Sequence, residues 1–174
     1  MMSERCPEVE AMLAPAPRPP LVRAQVLWWA LGLAVLCFVF FKFCLVPVTI
    51  LGDSMLPTYR DRTVHFLNRL AYWSEPPARG DVVGLRHSSG DIYIKRVIGL
   101  PGEELTFEEG RVRVNGRLIE EPYIEGRLPW DLPAVRLGTN EWFVMGDHRR
   151  VSVLGKVTRD RILGRIVSLP RHRN

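Results

Sequence analysis

Twenty residues from Leu27 to Val46, "LWWALGLAVLCFVFFKFCLV", carry a single charge, Lys42. As a helix, a run of that length spans about 30 Å, the thickness of a bilayer's hydrocarbon core. Lys42 can snorkel to one interface, and Trp28 and Trp29 sit where an aromatic belt lies at the other. A cleaved leader would need small residues in an A-x-A arrangement after the run, and here Phe43, Cys44, Leu45, Val46 and Pro47 follow. Cys44 likewise lacks the small residues that precede a lipid-attachment cysteine. The sequence therefore predicts an uncleaved transmembrane anchor over residues 26–46, between a Pro-rich tail over 1–25 and an extracytoplasmic domain over 47–174. Arg18 and Arg23 flank the run, which favours a cytoplasmic N-terminus by the positive-inside rule. Such a chain belongs in the inner or plasma membrane as a single-pass protein, with the lipid bilayer as its first partner.

With 174 residues, 47% of them hydrophobic, the chain can build one ordinary domain beyond the anchor. The formal charge is +5, and Arg149, Arg150, Lys156, Arg159, Arg161, Arg165, Arg171 and Arg173 face a single acid, Asp160, near the C-terminal end. No aromatic interleaves with them after Phe143, so a base-stacking platform is missing and nucleic acid is not an expected partner. A solvated basic face or anionic lipid accounts for them. Cys6, Cys37 and Cys44 leave the domain without cysteine, which excludes a disulfide framework and a thiolate metal site there. His65, His87, His148 and His172 show no ligand spacing, so neither a metal nor another cofactor is expected.

Beyond Pro47, short apolar or alternating runs are separated by Gly, Pro, Asp and Asn: "TVHFLNRL", "DVVGLRH", "DIYIKRVIGL", "ELTF", "RVRVNGRLI", "EWFVMGD" and "RILGRIVSL". With Asn115-Gly116 as a hairpin signal, this predicts a mostly β domain of small antiparallel sheets. Residues 121–140, with three prolines and two glycines, read as a long connection.

Three clusters carry chemistry. Ser54 follows Gly52 and Asp53 on a turn just after the anchor; a serine there is ordinarily a cap or turn residue, and becomes a nucleophile only where a base takes its proton. The candidate base is Lys95 in "YIKRVIGLPGE", on a strand where it alternates with Tyr93 and Val97. At an ordinary pKa of about 10.4, about one lysine in 2,500 is neutral at pH 7; at about 8 roughly a tenth are. Burial is the device that makes the amine a base, whereas an edge-strand lysine pointing to water would only block pairing. In "GDHRRVSVLG", Asp147 can pair with a basic partner and Ser152 can hydrogen-bond a lysine amine, unless the segment is simply a charged loop.

"GDSMLPT", "RGDVV" (Arg79 to Val83), "YIKRVIGLPGE" and "GDHRRVS" occur in the order and wording of the bacterial type I signal peptidase (leader peptidase) family, and the chain resembles that family over about residues 47–167. "VNGRLIEEPYI", Val114 to Ile124, is also similar to the family's segment between the second pair of boxes. The resemblance implies a signal-peptidase-like, β-rich catalytic core and a membrane-anchored serine endopeptidase that removes signal peptides from exported preproteins with small residues before the cleavage site. It further implies Ser54 as nucleophile, Lys95 as general base, Ser152 as the hydroxyl orienting the amine, and an Arg96–Asp147 supporting pair. Ile50, Gly52, Met55, Tyr93 and Ile94 would then line the substrate groove. Gly52 stands where many members carry a hydroxyl, which leaves the backbone N–H of Ser54 as oxyanion donor. His148 stands where the family has Asn, and Leu154, Gly155 and Lys156 where it continues with Asp, Ser and Arg.

Three other readings compete with this one. A soluble self-cleaving Ser/Lys repressor would need a DNA-binding helical domain where this chain has its anchor. His148 and Asp147 could serve Ser54 as a triad. A membrane-tethered, divergent or inactive member would bind exported chains without cleaving them, or process one specialised substrate.

Overall fold

The structure, a computed structural model, describes residues 22–87, 90–124, 126, 132–152 and 155–167. The helix α1 covers Val22–Phe43, and its stretch Ala24–Phe43 is long and apolar enough to cross a membrane. It stops short of Val46 because the next residues enter a sheet: β1 (Leu45–Thr49) runs antiparallel to β2 (Val64–Asn68), with Leu45 opposite Asn68 and Thr49 opposite Val64. Pro47 has no N–H to donate and is tolerated because β1 is an edge strand.

The β body has two antiparallel sheets. Further along the chain come β3 (Val82–Arg86), β4 (Ile92–Gly99), β5 (Glu104–Glu108), β6 (Arg111–Val114), β7 (Arg117–Leu118), β8 (Val135–Arg136), β9 (Glu141–Met145), β10 (Gly155–Thr158) and β11 (Ile162–Val167). The larger sheet is ordered β1-β2-β11-β3-β4-β9-β10, the smaller β7-β6-β5-β8. The mostly β domain of small antiparallel sheets is thus present as expected. The β6–β7 turn is formed by Asn115 and Gly116, both at positive φ (49° and 79°), as a two-residue hairpin demands.

Sequence patterning did not anticipate β1, β8 or β10. "LVPVT" is hidden in the tail of the apolar run, and "VR" and "GKVT" are too short and polar to alternate visibly. The connection over 121–140 contains β8, while residues 125 and 127–131 lie outside the described residues.

Three apolar clusters hold the body together. One, with Val48, Ile50, Met55, Tyr59, Leu67, Val82, Ile94 and Ile166, lies beneath the Ser54 turn. A second joins Val83, Leu85, Val97, Trp142, Val144, Val157, Ile162 and Tyr72. The third, with Ile98, Leu105, Phe107, Val112, Val114, Leu137, Phe143 and Met145, joins the smaller sheet to β4 and β9. Strand β4 supplies one residue to each of the three, Ile94, Val97 and Ile98, so its backbone is fixed from both faces.

Candidate active site

Ser54 sits in a turn tied by Leu56 N–H to the Asp53 carbonyl (3.1 Å) and Tyr59 N–H to the Met55 carbonyl (2.9 Å). Its neighbour Met55 is almost completely buried in the cluster below. Full burial of such a side chain is worth about 1.5–3 kcal/mol, so it fastens the turn at the serine. From the other side the His148 amide donates to the Ser54 carbonyl at 3.1 Å.

Lys95 extends from β4, and its Nζ lies 2.8 Å from Ser54 Oγ. Its side chain is only 8% exposed. Burial pushes its pKa from 10.5 down to about 8, with the charge of Asp147 acting in the opposite direction. Tyr93, two residues earlier on β4, is partly open to solvent; Val97, two residues later, is sealed.

Arg96, next in the chain, grips Asp147 with Nε on Oδ1 at 2.8 Å and Nη2 on Oδ2 at 2.6 Å. Its Nη1 donates to the Gly80 carbonyl at 2.8 Å, and its guanidinium lies 4.0 Å from the centre of the Tyr123 ring. The Thr58 hydroxyl also donates to Asp147 Oδ2. Asp147 has no exposed surface, and its carboxylate is committed to these partners.

That commitment bears on a His148/Asp147 triad. His148 Nδ1 is buried without a hydrogen-bond partner, and Asp147 bonds Arg96 and Thr58 instead. The triad is not assembled.

Gly146 is the contact point of the "GDHRRVS" box. A Cβ there would overlap both Ser152 Oγ and the Ser54 carbonyl, so only glycine lets the loop approach this closely. Ser152 is thereby brought beside the Ser54 segment. Of the residues that follow it, Leu154 lies outside the described residues, and Lys156 turns away to Glu141 (3.1 Å) and the Arg136 carbonyl (2.7 Å).

A cleft of about 590 Å³ is lined by Ile50, Met55, Tyr93 and Ile94 together with Ser54 and Lys95, and walled by the 47–51 and 91–95 segments. Gly52, expected among its lining, is not in it; its N–H is taken by Asp61 Oδ1 at 2.7 Å. Among the described residues, β1 pairs on one side only, and β4 pairs with β9 only from Arg96 onward, so no strand pairs with that side of Ile92–Lys95.

The "RGDVV" box acts as a clamp on β4. Gly80 N–H donates to the Val97 carbonyl and Val97 N–H to the Asp81 carbonyl, while Arg79 bonds the Ile98 carbonyl and Glu103. Asp81 also accepts from the Tyr72 hydroxyl at 3.0 Å; burial first, then this carboxylate, hold that phenol well above its usual pKa.

Sequence reasoning missed Thr58, Glu121, Tyr123 and Arg149. Arg149 is 1% exposed and Glu121 5%, and they form a two-pronged ion pair. Each lies inside or beside a quoted box, but no residue-type pattern tells a buried partner from a surface charge. Among the described residues no group of three or more His, Cys, Asp or Glu is placed to hold a metal ion.

The sequence profile of the family described as signal peptidase, peptidase S26, matches residues 23–169. Signal peptidase IB of Staphylococcus aureus (strain COL) is 30% identical over 170 residues, covering 83% of this chain and 89% of that protein. Signal peptidase I S of Bacillus subtilis (strain 168) is 32% identical over 162 residues, covering 82% and 87%. A crystal structure of a signal peptidase I from Enterococcus faecalis V583 covers 53% of this chain and 98% of its own, at 22% identity and a TM-score of 0.48.

Proposed function

The chain belongs to the signal peptidase family, peptidase S26, and on that footing we propose that it removes signal peptides from exported preproteins by a Ser54/Lys95 dyad working at the membrane surface. The observation that carries the dyad is the 2.8 Å contact between a buried lysine amine and the serine hydroxyl.

The neutral Lys95 amine takes the Ser54 Oγ proton as Oγ attacks the carbonyl carbon of the scissile bond. The Ser54 N–H stabilises the negative oxygen of the tetrahedral intermediate; Gly52 has no side chain to add a donor, and its own amide is held by Asp61. When the C–N bond breaks, the Lys95 ammonium returns the proton to the departing amine, leaving the signal peptide as an ester on Ser54. Water then attacks that ester with Lys95 again accepting its proton, and Ser54 is regenerated. Lysine here takes the place that histidine holds in the familiar triad. Ser152, beside Gly146, orients the amine, and Arg96 with Asp147 supports it from below.

The substrate lies extended between the two open edges, gaining backbone hydrogen bonds to 47–51 on one side and 92–95 on the other. Ile50, Met55 and Ile94 line it with buried apolar side chains, which suits small apolar side chains before the cleavage site.

The α1 helix is the anchor, with the β body outside the cytoplasm. Ser54 follows Phe43 by eleven residues. A preprotein held by its own apolar segment presents its cleavable bond at a similar height, and confining both partners to one membrane raises their effective concentration.

The test is cleavage of a preprotein carrying Ala-x-Ala before its cleavage site. Ser54→Ala and Lys95→Ala are expected to abolish product, and His148→Ala to retain it. Binding without cleavage by the unaltered protein, with Ser54→Ala indistinguishable from it, would establish the tethered, inactive reading instead.

A further inference from the structure

The buried pair of Glu121 and Arg149 has no part in the chemistry above, yet it touches the loop that carries Asp147 and Ser152. Arg149 Nη1 and Nη2 donate to the two Glu121 oxygens at 3.0 and 2.5 Å, and its Nε donates to the Gly146 carbonyl at 3.1 Å. Gly146 in turn is pressed against the Ser54 carbonyl and Ser152 Oγ.

Two residues beyond Glu121, the Tyr123 ring lies under the Arg96 guanidinium, and its hydroxyl donates to Glu121 at 3.3 Å. Arg96 holds Asp147. One short segment leaving the smaller sheet after β7 therefore grips both Gly146, through Arg149, and Asp147, through Arg96. Burial, followed by the Glu121 charge, pushes the Tyr123 hydroxyl up to about 12, so it remains a neutral donor.

A buried ion pair seldom stabilises a fold more than well-packed apolar residues of the same volume. Its three-point geometry is better matched to fixing a position than to adding stability. Among the described residues after Ser152, Lys156 is engaged elsewhere, with Glu141 and the Arg136 carbonyl.

We propose that Glu121 and Arg149 are positioning residues for the catalytic loop: anchored by Glu121, Arg149 holds the Gly146 carbonyl and so keeps the Gly146–Ser152 segment seated on the Ser54 turn. The segment over residues 121–123 thus couples the smaller sheet to the dyad, although it touches no reacting atom. The inference rests on the Ser54/Lys95 reading.

Two variants of the full-length protein in detergent test it. Glu121→Gln combined with Arg149→Met removes both charges at nearly constant volume, so the fold is expected to persist while the Gly146 carbonyl loses its donor. Arg149→Lys keeps the charge but cannot bond Glu121 and Gly146 together. For both we expect kcat on an Ala-x-Ala preprotein to fall at least about tenfold, with KM within about twofold. The acid limb of the kcat/KM profile should also move to higher pH, as a loosened loop admits water to Lys95. A purely structural pair would lower the melting temperature and leave kcat and the pH profile of the folded protein unchanged, and that result overturns the proposal. Should the double variant not fold, Arg149→Lys decides by the same two readings. If Ser54→Ala and Lys95→Ala are inactive while both Arg149 variants match the unaltered protein, the dyad stands and this inference alone fails.

Discussion

Arg96 and Asp147 meet through two hydrogen bonds, Nε to Oδ1 at 2.8 Å and Nη2 to Oδ2 at 2.6 Å, one residue along β4 from Lys95. The pairing gives a counter-charge to a carboxylate whose own charge favours the ammonium form of Lys95. Burial nevertheless outweighs that charge and brings the pKa of the Lys95 amine down to about 8.

Removing the partner should be felt in both stability and pH dependence. Arg96→Gln leaves Asp147 buried without its counter-charge, at an expected cost of about 3–5 kcal/mol. In the fraction that remains folded, Asp147 then acts on Lys95 unopposed and raises its pKa. The acid limb of kcat/KM should move above pH 8, read from a pH series at a temperature where the variant is folded.

If Lys95 is the base, the unaltered enzyme should gain activity as pH rises through about 8, because on that mechanism the amine must lose its proton to act. A limb at pH 10 or higher, or a pH-independent rate, would contradict a buried basic lysine.

The same shift predicts a conflict between stability and function. The folded pKa lies below the unfolded value, so below pH 8 both states carry the proton and the fold bears the full penalty, roughly 3 kcal/mol. Between pH 8 and 10.5 the unfolded chain holds more protons, and stability should rise with pH. Lys95→Met should therefore be inactive yet melt higher than the unaltered protein at pH 7, by differential scanning calorimetry. A lower melting temperature would show that the amine is not disfavoured by burial.

Gly146→Ala should be severely impaired, since a methyl group cannot enter between Ser152 Oγ and the Ser54 carbonyl without displacing one of them. Overpacking of this kind costs about 1–3 kcal/mol, and shifting the nucleophile by an ångström costs about a hundredfold in rate. Single-turnover cleavage measures it; near-normal turnover would mean that the loop does not set the serine's position.

On the proposed reading, the cleft floor should set which side chains fit before the cleavage site. Ile94→Ala opens space beside Met55 and should raise kcat/KM for a preprotein with a larger side chain there, relative to alanine, by about tenfold or more. An unchanged ratio in a competition assay would place the specificity pocket elsewhere.

Much of this was legible in the chain itself, and for identifiable reasons. An apolar run is a one-dimensional property, so the α1 helix could be read directly, as could strands such as β4 and β9 and the Asn115-Gly116 hairpin, whose signals are local. Ser54 and Lys95 could be named because their boxes resemble a known family, and their wording survives without knowledge of contacts. Tertiary structure alone decided that Leu45 and Val46 leave the helix for β1, because pairing with β2 outweighs their apolar character. It alone set Gly52 outside the cleft, added Thr58 to the expected Arg96–Asp147 pair and so withheld Asp147 from His148, and joined Glu121 to Arg149 across 28 positions. Charged residues look alike in a sequence whether they face water or each other, and only the packing of distant segments removes the water that makes them equivalent.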